Sequence, residues 1–148
     1  SVHNTPAGYW AIATGCMQPS LSLSAYDDSF AAGLREAAAL AWADQTRVLL
    51  VAYDLPPPFP LVERRMIVAP FAVALLLNPA QGYRLAPLRL ESGANQPANR
   101  LDDAGLEQLR AGNPAARGLP LLCAIARRKA GRVVLSDGGV SLSVEIEP

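Results

Sequence analysis

Residues 21–54, LSLSAYDDSFAAGLREAAALAWADQTRVLLVAYD, change from one structural period to another twice. Residues 21–25 alternate apolar and polar, as a strand does, and run into Asp27-Asp28-Ser29, a cluster whose side chains favour a helix N-terminus. From Asp28 to position 43 the pattern becomes helical: Phe30, Leu34, Ala37, Ala38, Ala41 and Trp42 recur at helix spacing. Ala31, Ala32, Gly33 and Ala39 keep the remaining surface small, so this helix is expected to be buried almost all round. Residues 47–54, RVLLVAYD, are then a continuous apolar run of strand length, expected to be covered on both faces. Strand, turn, buried helix and buried strand in that order define an α/β fold.

Working outward, residues 5–14 form a short helix with Pro6 tolerated in its first turn and Gly15 suited to ending it. A proline-rich loop at 56–60 follows the apolar strand. Residues 69–77 and 83–90 are strand candidates joined through Asn78-Pro79-Ala80-Gln81-Gly82, which suggests an antiparallel pair, and 91–100 reads as loop. Asp102 or Asp103 caps a helix through Ala111, and 118–129 supports another with Leu121, Leu122, Ile125 and Ala126 on its buried side. At the end, 132–135 and 140–146 flank Asp137-Gly138-Gly139 as a C-terminal hairpin. Its expected wet face is Ser141, Ser143 and Glu145.

Composition narrows the class of function. The chain has 148 residues, 51% hydrophobic and 18% charged, with a formal net charge of zero, which suits one packed domain and lacks the basic face nucleic acids require. Cys16 and Cys123 are too few and too far apart for a disulfide framework or a metal site, so no metal or cofactor is expected and a reducing cytoplasm fits. Apolar stretches such as 72–77 are far shorter than the roughly 20 residues of a membrane span.

SVHNTPAG and DDSFAAGL carry a family resemblance. Asn4, Ala7 and Gly8 fit an Asn-x-x-Ala-Gly segment, and Gly15, Pro19 and Ser20 fit a Gly-x-x-x-Pro-Ser segment, each at the spacing found in β-ketoacyl-acyl carrier protein synthases. Strand, turn, Ala-rich helix and apolar strand follow without a gap. The chain therefore resembles a ketosynthase, and within that group the short chain-length-factor-like homologues of aryl polyene and type II polyketide clusters. The resemblance implies a thiolase-like half-domain with a mixed sheet. Family members are longer at the N-terminus, so residues 1–148 are expected to be a single domain lacking its N-terminal part.

On the register of that resemblance Asp27 stands at the position of the acyl-accepting cysteine. A carboxylate forms no stable thioester. The family's two catalytic histidines also have no counterpart, since the chain has one histidine, His3, upstream of the turn. The resemblance thus implies a non-catalytic subunit that pairs with an active ketosynthase and, through it, meets acyl carrier protein. Tyr26, Asp27, Asp28 and Phe30 are the candidates for shaping an acyl tunnel or facing the partner. Two other classes stay open: an independent thiolase-fold enzyme using Asp27 or Asp28 as a base, and a stand-alone acyl or carrier-protein binding module.

Each candidate also has a plainer reading. Asp27 and Asp28 suit a helix N-terminus as caps. His3 has no evident acid partner or nucleophile, Cys16 and Cys123 read as small buried apolar residues, and the Arg64-Arg65 and Arg127-Arg128-Lys129 clusters as solvated faces.

Overall fold

The structure, a computed structural model, describes residues 2–80, 85–94, 96–135 and 140–147. Its organising element is α2 (Ser29–Asp44), the helix expected at 28–43. It is preceded by α1 (Thr5–Thr14), which ends as expected on Gly15 in the left-handed conformation, φ 64. It is followed by β1 (Val48–Asp54) and β2 (Phe71–Leu77). The rest of the chain supplies β3 (Leu88–Ala94), α3 (Ala104–Ala111), α4 (Leu119–Ala126), β4 (Gly131–Val134) and β5 (Val140–Ile146).

Two sheets close on α2. β1 and β2 pair antiparallel from Val48↔Leu77 to Asp54↔Phe71. β5 lies between β3 and β4, antiparallel to both. A mixed sheet was expected; among the described residues every strand pair is antiparallel. Phe30, Ala31 and Leu34 of α2 share one core with Leu121, Val133, Leu142 and Val144, against which Leu50, Ala52, Val73 and Leu75 of the first sheet pack. The register explains the partner choice: Leu50↔Leu75 and Ala52↔Val73 put four apolar side chains on the face that meets the helix.

Several expectations are corrected by this arrangement. Residues 21–25 form no strand, and Leu21 and Leu23 are exposed, because no described strand lies beside them to take up their ladder bonds. β1 is covered on one face only: Leu49, Val51 and Tyr53 are each 49% exposed, opposite the face held by α2. Likewise α2 is buried along its first half and one stripe of its second, while Trp42 projects outward. The hairpin expected between 69–77 and 83–90 is replaced by longer-range pairing. β2 takes β1, whose seven residues match it in length and phase, and β3 takes β5 and extends through 91–94, where loop was expected. Residues 81–84 and 136–139, which hold part of that expected turn and the Asp137-Gly138-Gly139 turn, lie outside the described residues.

The C-terminal hairpin strands are present, yet of their polar face only Glu145 is wet, while Ser141 and Ser143 are buried. Ser141 is 1% exposed, because the segment after β3 folds over it. The Gln96 N–H donates to Ser141 Oγ at 2.6 Å and the Ser141 hydroxyl donates to Gln96 O at 3.1 Å. Further along, Arg132 Nη2 donates to Ser143 Oγ at 2.8 Å. A hydroxyl with both roles filled can be buried at little cost.

α2 approaches its neighbours closely at two glycines. A Cβ on Gly33 would lie 3.2 Å from Leu50 Cδ1, and one on Gly118 only 2.3 Å from Cζ of Phe30. Gly118→Ala is therefore expected to destabilise by about 1–3 kcal/mol and lower Tm by roughly 5 °C. Gly8→Ala in α1, where nothing lies within 4 Å, is expected to be neutral or slightly stabilising. Parallel thermal melts check the contrast.

α3 begins as expected, with Asp103 Oδ1 accepting from the Leu106 N–H at 2.8 Å. Within it Glu107 accepts two bonds from Arg110, at 2.8 and 2.7 Å, and one from the Leu101 N–H at 2.9 Å. The Arg110 hydrogen bonds outweigh partial burial and hold the Glu107 carboxyl down from 4.5 to about 2. A carboxyl depressed by folding stabilises fully above its unfolded value, and that contribution is lost as pH falls from about 4.5 toward about 2. Arg110 is buried but the Glu107 side chain keeps 25% exposure, and solvent reaching that side holds the pair's worth to about 1 kcal/mol. Glu107→Gln should lower stability at neutral pH by that order and flatten the acid limb between pH 4.5 and 2. Chemical denaturation at stepped pH measures both effects.

Candidate functional site

The turn that leads into α2 is held from within. Tyr26 has φ 56, in the left-handed region that bulky side chains rarely adopt and that costs of order 1 kcal/mol. Ser29 staples the turn from the start of the helix: its Oγ accepts from the Ala25 N–H at 2.9 Å and its hydroxyl donates to Tyr26 O at 2.7 Å. The Asp28 N–H donates to Ala25 O at 3.1 Å. The expected carboxylate caps are thus corrected, because Asp28 makes no side-chain capping bond to α2 and the serine closes the turn.

Asp27 points instead to two arginines. Arg65 Nη2 donates to Asp27 Oδ1, and Arg117 Nη2 lies 3.7 Å from Asp27 Oδ2. The Arg65 guanidinium also stacks over the Tyr26 ring, 4.0 Å from its centroid. Its hydrogen bond to Asp27 raises the Arg65 pKa above its ordinary value, so it stays cationic at any physiological pH. Asp27 retains 44% side-chain exposure, against 32% for Arg65 and 19% for Arg117.

The second arginine is placed by a network that begins at the end of β1. Asp54 Oδ2 accepts from the Ala115 N–H at 2.7 Å, tying the strand to the short 3-10 helix Ala115–Gly118 that carries Arg117. Asn113, almost fully buried, adds Oδ1 contacts to the Ala115 and Ala116 N–H groups at 3.1 and 3.4 Å, and its Nδ2 donates to Ala69 O at 2.8 Å. These bonds satisfy a buried amide while fixing three segments together. An open cleft of about 320 Å³ lies alongside, lined by Ser24, Tyr26, Asp54, Arg65, Ile67 and Pro114 among others.

The four sequence candidates divide. Tyr26 is exposed, Asp27 and Asp28 are half-buried, and Phe30 is 1% exposed inside the chain's own core. His3 is exposed, and Cys16 and Cys123 are half-buried free thiols where buried ones were expected. Arg64, Arg127, Arg128 and Lys129 are solvent-exposed, as a charged face would be. Arg65 breaks from its pair to reach Asp27, 38 positions away. Neither that contact nor the roles of Arg117, Asp54 and Asn113 had a local signal. Chemically, a carboxylate whose two oxygens face two guanidinium groups is an anchored ionic link. Among the described residues no group of three or more His, Cys, Asp or Glu could hold a metal ion, and no helix is long and apolar enough to cross a membrane.

Comparison with curated proteins gave no match. Among solved structures the chain is similar to one in the ketosynthase ApeO in complex with its chain length factor ApeC, from Xenorhabdus doucetiae. The two share 26% identity and a TM-score of 0.69 over 98% of this chain and 54% of the other, so the chain spans about half its neighbour's length. The likeness makes the fold that of a ketosynthase-type, thiolase-like half-domain. The family profile described as "Beta-ketoacyl synthase, N-terminal domain" matches residues 1–134. With that match covering most of its length, the chain belongs to the β-ketoacyl synthase N-terminal domain family.

Proposed function

We propose that this chain is a non-catalytic, chain-length-factor-like subunit that pairs with an active β-ketoacyl synthase in fatty-acid or polyketide assembly of the aryl polyene type. The observation that carries this reading is the state of position 27. Where the resemblance places the acyl-accepting cysteine, the chain has an aspartate engaged by Arg65 and Arg117. The turn and the buried helix behind it are intact, which supports packing and association as what these residues serve. Acyl carrier protein then meets the pair through the active subunit, and the two free thiols suit the cytoplasm.

The amount of exposed surface supports association. The chain exposes 9959 Å². A compact monomer of 15.6 kDa exposes about 7,200 Å². One partner's share of an obligate interface is about 1,000–2,500 Å², so the difference, about 2,700 Å², is of the size that a large interface of that kind covers on one chain. Large apolar side chains contribute to it, among them Tyr9, Trp10 and Ile12 of α1, a helix without a buried residue.

Co-expression with a complete ketosynthase from the same gene neighbourhood, followed by size-exclusion chromatography, tests the pairing. Co-elution at micromolar concentration is expected, with Tyr26→Glu weakening it at least about tenfold. Phe30→Glu should instead prevent folding, because that side chain is buried within this chain. The purified chain, and equally Asp27→Cys, should form no carbon–carbon bonds above a protein-free control. A chain that never co-elutes, or one that condenses acyl groups alone, contradicts the reading.

A further inference from the structure

We propose that Arg65 and Arg117 form a carboxylate-binding pair that Asp27 occupies as an internal ligand, closing the pair to carboxylates from solution. Two cations reach one carboxylate from separate segments, each toward a different oxygen: Arg65 to Oδ1 and Arg117 to Oδ2. Division of the two oxygens between two guanidinium groups is how proteins recognise a carboxylate as a planar, two-pointed anion. The Tyr26 ring holds the Arg65 guanidinium from its face, and the Asp54–Ala115 bond fixes the short helix bearing Arg117. Both cations are therefore positioned by contacts other than the one to Asp27.

The other charge lining the cleft, Asp54, has Oδ2 committed to the Ala115 N–H. Asp27 presents its carboxylate to both arginines from a half-exposed position. A carboxylate from solution has a path to the same place but competes there with one held at very high effective concentration by the chain itself. That internal competitor keeps the pair filled whether or not the chain has a partner.

The test is chemical rescue. In Asp27→Ala the pair loses its internal ligand and Tm should fall. Sodium acetate, compared with sodium chloride at matched ionic strength, should then raise Tm saturably, by about 3–5 °C at tenfold over its Kd. Wild type and Asp27→Ala/Arg65→Gln should not respond to acetate beyond chloride. If Asp27→Ala does not fold without additives, recovery of the folded protein by acetate but not chloride is the supporting result. Asp27→Asn, which keeps the side-chain shape, then takes its place in the titration. An acetate response equal in wild type or in the double variant, or none beyond chloride in either single variant, overturns the proposal.

Discussion

Phe30 lies against Gly118 so closely that no side chain fits at position 118, and most of the architecture follows from that contact. It fixes the first turn of α2 to the short helix that precedes α4. The core then closes on Phe30 and Leu34 from both sides, with Leu50 and Val73 from one sheet and Val133, Leu142 and Val144 from the other. Burial on this scale contributes about 1.5–3 kcal/mol for each large apolar side chain, which is why the helix start is rigid enough to hold a strained turn ahead of it.

That rigidity gives position 27 its meaning. In this chain the turn carries a carboxylate met by two arginines from distant segments. A reactive nucleophile needs an accessible, activated atom. An ionic link between three segments needs the opposite, a side chain whose lone pairs are engaged. On the proposed reading, the same backbone device serves connection where a synthase would use it for acyl transfer.

Local features were legible in the sequence to the extent that the chain decides them locally. α1 and its Gly15 terminus, the start of α2 and the Asp103 cap of α3 are set by residues within one or two turns of each other. Strand partners were not, because the turn signal at Asn78 competes with a better-matched ladder between β1 and β2 that periodicity alone does not rank. The alternation of Ser141 and Ser143 with apolar residues marked two faces correctly but not their solvation, which depends on Gln96 folding across the sheet. At the site, Asp27 drew attention through the position the resemblance gives it, while its partners come from sequence positions too distant for spacing to reveal.

A chain built this way should take part in acyl-chain assembly without carrying the acyl group. Intact-protein mass spectrometry of the co-purified pair, after incubation with an acyl thioester donor, measures that directly. The account predicts an acyl mass increment on the ketosynthase and an unchanged mass for this chain; a covalent acyl adduct on this chain would contradict it.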